Sequence, residues 1–108
     1  MDLGIKGRWA ILAGSSRGLG RACAESIARE GVNVVINGRN QADVDAAVTE
    51  LTSRYGVTAI GVVGDSATSS VQDELMAACP TPDILLLNGQ GPSPKSFLDI
   101  EIDDWNAA

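Results

Sequence analysis

Four short apolar runs, separated by longer stretches of mixed polarity, set the pattern of the chain. The runs occupy residues 8–13, 32–37, 57–63 and 83–88. They are rich in Val, Ile and Leu with little polar alternation, which is typical of parallel strands buried on both faces of a sheet. The stretches between them carry apolar residues at helical spacing. The pattern predicts the order βαβαβαβ, joined by right-handed crossovers into a parallel sheet.

Residues that start and stop helices lie between these runs. The first helix is expected from Gly18 to a cap at Gly31. Asn40 and Gly56 suit the two caps of a second helix. The spacing of the first helix gives it one face formed by Leu19, Ala22, Cys23, Ser26 and Ile27.

Two further helices complete the predicted fold. Ser69 and Gln72 have the spacing of a capping box, and the helix that they open ends before residues 80–82. Another helix is expected around residues 103–105. A chain of 108 residues forms one domain. We therefore predict an α/β fold of the Rossmann type, with a four-stranded parallel sheet in the order 3-2-1-4 and helices on both faces.

Composition narrows the kinds of partner. With 8 basic and 14 acidic residues the net charge is −6, which argues against binding of nucleic acid or of anionic membranes. No apolar run approaches the roughly 20 residues of a membrane span, and the first residues lack the apolar core of a signal peptide. Two cysteines without a CxxC spacing, and no histidine, argue against a zinc site. These features predict a cytoplasmic protein without a metal.

The stretch between the first apolar run and the first helix, LAGSSRGLGRA, holds three glycines. Gly14, Gly18 and Gly20 form the pattern GxxxGxG. Glycines here can supply a turn, let a ligand approach the backbone and let helix and strand pack closely. The helix N-terminus then offers unpaired N–H groups to a pyrophosphate. Alone the pattern could mark a structural turn, but between a strand and a helix it favours a dinucleotide-binding loop.

The end of the second apolar run bears on which dinucleotide is bound. NAD-binding domains of this type place a carboxylate there, which holds the ribose 2′-hydroxyl. This sequence has Gly38 and Arg39 instead. A guanidinium can pair with a 2′-phosphate through two hydrogen bonds, and Arg17 in the glycine loop could reach the same group. Both arginines could be solvated surface residues, but together they favour NADP(H) over NAD(H).

Two more segments follow the third and fourth runs, at the edge of the sheet where ligands bind. Asp65 could accept a hydrogen bond from the adenine amino group, or it could cap a turn or helix. Residues 88–91, which read Asn-Gly-Gln-Gly, could line the pocket near the nicotinamide. They could also form a glycine-rich turn before Pro92.

Together these segments resemble the short-chain dehydrogenase/reductase family, in particular its ketoacyl-reductase-like members. AGSSRGLG is similar to the family's TGxxxGxG, NGR follows the second strand and GDS the third. DILLLNG leads into the family's N-A-G position, and DDW opens the next helix. The segments occur in the family's order over residues 7–108. The resemblance implies that residues 1–108 are the N-terminal, cofactor-binding part of one Rossmann domain, incomplete relative to the family fold.

The same resemblance implies a role for individual residues. The three glycines would cradle the pyrophosphate, Ser16 and Arg17 would contact the adenosine-side phosphates, and Arg39 would confer preference for NADP(H). Asp65 would bind the adenine, and Asn88 with Gly89 would support the central strand and the nicotinamide ribose. The expected cofactor-binding residues are Gly14, Ser16, Arg17, Gly18, Leu19, Gly20, Gly38, Arg39, Asp65, Ser66, Asn88 and Gly89.

The sequence departs from the family pattern at three points. Ala13 replaces the usual threonine, so the hydrogen bond of that hydroxyl to the loop after the fourth strand is missing. N-A-G reads N-G-Q, with the glycine delayed to Gly91, which could change the nicotinamide-side loop. The family's catalytic Asn, Ser and Tyr-x-x-x-Lys have no match, because the only tyrosine, Tyr55, has Ala59 at the lysine position. No catalytic residue is therefore assigned.

These observations favour an NADP(H)-dependent oxidoreductase that transfers hydride between nicotinamide and a carbonyl or alcohol substrate, with this chain as its cofactor-binding half. The alternatives are a non-catalytic NADP(H)-binding or sensor module, and a methyltransferase using S-adenosylmethionine, against which Gly38 and Arg39 count. The resemblance implies a homo-oligomer for the full-length protein. Residues 83–88 would form an apolar sheet edge, which we expect further chain or a partner to cover.

Overall fold

The computed structural model describes residues 2–89 and 94–107, and a parallel sheet forms its centre. Within these residues the sheet has four strands in the order β3-β2-β1-β4, as predicted. Three of the strands are shorter than the apolar runs that predict them, and the second is displaced by one residue. The strands are β1 (Trp9–Leu12), β2 (Asn33–Gly38), β3 (Ala59–Val63) and β4 (Ile84–Leu86).

A helix follows each of the first three strands, which is why neighbouring strands can run parallel. These helices are α1 (Gly18–Arg29), α2 (Gln41–Tyr55) and α3 (Ser69–Ala78). A turn of 3₁₀-helix (Phe97–Asp99) and a short helix α4 (Ile102–Ala107) come after β4. No helix in the described ranges is both long enough and apolar enough to cross a membrane.

The sheet is covered on both faces because its strand residues alternate in direction. Leu12 and Ile36 point to one side, where they join a buried cluster with residues of α1 and α2. Ile11 and Val35 point to the other side, where they pack with residues of α3. The prediction of helices on both faces is therefore confirmed.

The ends of α2 agree with the prediction, whereas the start of α3 does not. The Asn40 side chain accepts a hydrogen bond from the N–H of Asp43 at 3.1 Å, and Gly56 closes α2 with φ +67°. The N-cap of α3 is Thr68, so the predicted capping box of Ser69 and Gln72 is wrong. The preceding turn explains this difference, because the Gln72 side chain donates a hydrogen bond to the Ser66 carbonyl at 3.0 Å instead.

Helix α1 packs through small residues and through part of the face that its spacing predicts, since Cys23 and Ile27 are partly buried against the same cluster. Its buried residues are Gly20, Ala24 and Ala28, which let the helix lie close to the sheet. Leu19 is 74% exposed. The other residues of the predicted face line a shallow groove beside β4, namely Ala22, Cys23, Ser26 and Ile27.

Candidate functional site

A cleft of about 370 Å³ opens where β1, β2 and β3 end. Four loops form its walls, each following one strand of the sheet, at the edge where parallel α/β sheets bind ligands. Three of the predicted residues, Gly18, Leu19 and Gly20, do not line it and belong to the first turn of α1. The nine that line it are Gly14, Ser16, Arg17, Gly38, Arg39, Asp65, Ser66, Asn88 and Gly89.

Two of the loop glycines are required by close contacts between backbone segments. Gly14 has φ +62°, and a Cβ there would overlap the carbonyl oxygen of Asn88. A Cβ on Gly20 would overlap the carbonyl oxygen of Gly14. The loop after β1, the first turn of α1 and the segment after β4 are therefore stacked backbone on backbone.

Gly18 differs from these two glycines because the space around it is open. It is the first residue of α1, with φ +64°, and no described atom lies within 4 Å of the position that a Cβ would take. The leading N–H groups of a helix have no partner within the helix and carry its positive dipole end. The start of α1 thus presents a backbone surface that an anionic group can approach.

A buried pair of polar residues fixes the loop to the sheet. Ser15 and Asn37 are 0% and 2% exposed. The Asn37 side-chain amide donates to the carbonyl oxygens of Val62 and Gly64, each at 3.1 Å, and its oxygen accepts from the N–H of Gly14 at 3.1 Å. One side chain therefore joins the ends of β1, β2 and β3.

Four residues of the cleft are not among those that the sequence predicts as binding residues, namely Asn37, Asn40, Asp43 and Gly64. Of these four, Asn37 could have been identified from the sequence, because a polar residue at the end of a buried apolar strand needs hydrogen-bond partners. Asn40 is predicted only as a helix cap, and it has that role as well. Asp43 and Gly64 have no signal of their own in the sequence.

Gly38 brings the end of β2 against the glycine loop. A Cβ on Gly38 would overlap the Ser16 hydroxyl. Because Ser16 and Gly38 both line the cleft, this contact sets how far apart its first two walls stand.

The two predicted arginines lie on the same cleft. The Arg17 side chain is 85% exposed, and its Nη1 lies 4.0 Å from the Asp43 carboxylate. Arg39 is exposed and follows β2 directly. Both guanidinium groups can therefore reach a ligand in the cleft from the solvent side.

Asp65 has the turn-forming role that its sequence position leaves open, and it lies on the cleft, while its contact with the adenine stays a prediction. Its carboxylate accepts a hydrogen bond from the N–H of Ala67 at 2.9 Å, and its carbonyl oxygen accepts from the N–H of Thr68 at 3.0 Å. It thus shapes the turn before α3. It also lines the cleft, together with its neighbour Ser66.

The segment after β4 is tied to the glycine loop by two hydrogen bonds. The N–H of Ala13 donates to the Leu86 carbonyl at 2.9 Å, and the Asn88 side chain donates to the Gly14 carbonyl at 3.0 Å. The loop is thus held to β4 although Ala13 carries no hydroxyl. Gln90 and Gly91 lie outside the described residues.

Tyr55 lies at the far end of α2 from the cleft, about 22 Å along the helix axis from its first turn. Its hydroxyl donates to Glu25 Oε1 at 2.7 Å, and the guanidinium of Arg54 lies over its ring. This hydrogen bond, together with the charges of Arg54 and the neighbouring arginines, lowers the pKa of the Glu25 carboxyl below its usual range. Tyr55 is thus part of a surface contact between α1 and α2.

The family model described as short chain dehydrogenase matches residues 8–108. This range holds the glycine loop, both arginines and all four strands. The match therefore includes every residue that lines the cleft.

Individual relatives are similar over almost the whole chain. An uncharacterized oxidoreductase of Bacillus subtilis, YvaG, is 35% identical over 106 residues, covering 97% of this chain and 40% of the relative. The 3-oxoacyl-[acyl-carrier-protein] reductase FabG of Aquifex aeolicus is 31% identical over 109 residues, covering 97% and 44%. The chain thus spans less than half the length of these relatives.

Solved structures with the same arrangement include reductases. L-sorbose reductase from Gluconobacter frateurii, complexed with NADPH and L-sorbose, superposes with a TM-score of 0.82 at 31% identity over 97% of this chain and 41% of that one. YwfH, an NADPH dependent reductase involved in bacilysin biosynthesis, gives a TM-score of 0.80 at 26% identity, covering 93% and 44%.

Proposed function

The chain belongs to the short-chain dehydrogenase family of oxidoreductases, and from this premise we propose that it binds NADP(H) in the cleft and forms the cofactor-binding half of a reductase or dehydrogenase. In the whole protein, hydride would pass between nicotinamide and a small carbonyl or alcohol substrate. The observation that carries the proposal is the cleft itself, which joins a glycine loop, two arginines and the carboxylate of Asp65 at the end of β3, with Asp43 on the α2 side.

The start of α1 is proposed to hold the pyrophosphate. The open space at Gly18 lets a phosphate approach the backbone, and the unpaired N–H groups and the helix dipole favour its charge. Gly18, Leu19 and Gly20 would contribute through their N–H groups, because they form the first turn of α1, where N–H groups have no partner within the helix. Gly14 and Gly20 keep the loop in the shape that exposes this surface.

The two arginines are proposed to read the adenosine end of the cofactor. Arg39 and Arg17 would pair with the 2′-phosphate, while Ser16 contributes its hydroxyl to the same side of the cleft. Support comes from two similar proteins, the L-sorbose reductase complexed with NADPH and the NADPH dependent reductase YwfH. Asp65 and Ser66 would contact the adenine from the end of β3.

The segment after β4 is proposed to hold the nicotinamide end. Asn88 and Gly89 line the cleft beside Gly14, and the Asn88 amide is already oriented by the Gly14 carbonyl. The bound cofactor would supply the hydride. The described residues of this chain would bind and orient the cofactor. Tyr55 takes no part, because it lies at the other end of α2 and donates to Glu25.

Titration of the protein with NADPH, NADH and S-adenosylmethionine by isothermal calorimetry tests the binding proposal. We expect NADPH to bind at least tenfold more tightly than NADH, and S-adenosylmethionine not to bind. Absence of binding by either dinucleotide would overturn the proposal. Binding of NADPH by the full-length protein without its oxidation by carbonyl compounds, 3-oxoacyl thioesters among them, would instead favour the sensor module over the oxidoreductase.

A further inference from the structure

We propose that Asp43 limits the affinity and selectivity of the cleft for the phosphate-bearing cofactor by competing for Arg17. The inference rests on the proposed NADP(H) binding and adds a specificity-determining residue to it. Asp43 lines the same cleft as the two arginines, although nothing in its sequence position marks it as a binding residue.

The position of Asp43 is fixed by its backbone. It lies in the first turn of α2, where its N–H donates to the Asn40 side chain at 3.1 Å. Its side chain is 39% exposed, and its Oδ2 lies 4.0 Å from Arg17 Nη1. The carboxylate thus lies on the wall of the cleft and faces the guanidinium of Arg17, whose side chain is 85% exposed.

An exposed ion pair of this length is weak, so Arg17 can leave Asp43 when a stronger anion arrives. The carboxylate remains beside the cleft, since the backbone of Asp43 belongs to the first turn of α2. A phosphate that Arg17 contacts then lies near a negative charge, which costs binding energy by Coulomb repulsion. NADH has no 2′-phosphate, so its binding is much less affected.

The favourable end of the α2 dipole is also occupied. Anions are stabilised at the N-terminal turn of a helix, and Asp43 already satisfies this turn. Removing its charge would release both Arg17 and the start of α2 for the ligand. The expected consequence is tighter NADPH binding and a larger ratio of NADPH to NADH affinity.

The test compares Asp43→Asn with Asp45→Asn, which removes the same charge from the same helix. Asp45 is exposed, does not line the cleft and accepts a hydrogen bond from Gln41 at 2.8 Å. Calorimetry should show NADPH binding about threefold to tenfold more tightly to Asp43→Asn, with NADH binding changed less than twofold. Asp45→Asn should leave both affinities within twofold.

The gain should shrink when the same substitution is made in an Arg17→Ala background, because Arg17 then no longer responds to Asp43. An equal gain in both backgrounds would overturn the competition for Arg17. Suppose that the wild type binds NADPH but both Asp43→Asn and Asp43→Ser bind it no more tightly. That result would overturn the inference about Asp43 and leave the proposed function intact. A wild type that binds neither dinucleotide would overturn the proposed function itself.

Discussion

Ser15 and Asn37 exchange two hydrogen bonds across the start of the cleft. The Ser15 N–H donates to the Asn37 carbonyl at 2.7 Å, and the Asn37 N–H donates to the Ser15 hydroxyl oxygen at 3.1 Å. The Ser15 hydroxyl in turn donates to the Leu12 carbonyl at 2.7 Å. The loop after β1 therefore continues the hydrogen bonding of the sheet.

Asn37→Ala should destabilise the protein by about 2–4 kcal/mol, because it leaves two carbonyls and one N–H at the sheet edge without their partner. Asn33→Ala is the matched control in the same strand, since Asn33 accepts a single exposed bond from the Thr58 N–H. It should cost about 1 kcal/mol. Urea unfolding measures both, and equal losses would contradict the role assigned to Asn37.

Gly20→Ala should cost stability although alanine favours helices, because the added Cβ overlaps the Gly14 carbonyl. We expect a loss of about 1–3 kcal/mol, as for other overpacked sites. Gly18→Ala meets no described atom within 4 Å, so its left-handed backbone alone should cost about 1–2 kcal/mol. Titration with NADPH should also distinguish the two variants, because only Gly18→Ala places a Cβ in the open space at the start of α1.

Arg39→Ala should weaken NADPH binding about tenfold or more and change NADH binding little, because a charge-assisted bond to the 2′-phosphate is lost. Arg8→Ala is the control. Arg8 lies at the opposite end of β1, beside Asp83, with a half-exposed side chain. Equal losses of NADPH and NADH binding in Arg39→Ala would show that Arg39 does not read the phosphate.

Glu25→Gln should remove a pH-dependent part of the stability. The Tyr55 hydroxyl, and then the nearby arginines, lower the pKa of Glu25 in the folded state. A carboxyl whose pKa is lower in the folded state than in the unfolded state stabilises the protein at a pH above its unfolded-state pKa. This stabilisation is lost as the pH falls below about 4. The difference in melting temperature between wild type and Glu25→Gln should therefore be largest at neutral pH and should shrink as the pH is lowered below about 4. Glu74→Gln, at an exposed position of α3, is the control substitution.

The edge of the sheet at β4 predicts self-association of the 108-residue polypeptide. Leu85 is 61% and Leu87 77% exposed, and such apolar edges pair with other chains. The double substitution Leu85→Lys and Leu87→Lys should reduce association in sedimentation velocity. Met76→Lys, at an exposed position of α3, should not. A folded wild-type monomer at micromolar concentration would contradict this prediction.

Most of the fold follows from the sequence because its signals are local. The apolar runs fix which strands are buried, and the caps at Asn40 and Gly56 come from residue types with one strong preference. The buried face of α1 could be predicted only in part, through Cys23 and Ile27. Its fully buried residues are Gly20, Ala24 and Ala28, which hydrophobic spacing underrates because they allow close approach rather than supply apolar area.

The walls of the cleft were predictable where a strand end coincides with a recognisable residue, as at Gly14, Arg39 and Asp65. Asp43 was not, since its place on the cleft depends on how α2 packs against the sheet. The predicted capping box at the start of α3 was wrong for a related reason. Thr68 and Gln72 are engaged by the turn that Asp65 begins, and such competition among neighbouring polar groups is settled only by the folded backbone.

The bond between Asn88 and the Gly14 carbonyl joins residues that are 74 positions apart in the chain. Gly14 belongs to the first part of the site to leave the ribosome, yet this partner arrives only after every helix and strand in between has been synthesised. Closing so long a loop of parallel topology is slow compared with forming local helices. We therefore expect the glycine loop to reach its final conformation only once β4 has docked, so that the ability to bind a dinucleotide develops late in folding.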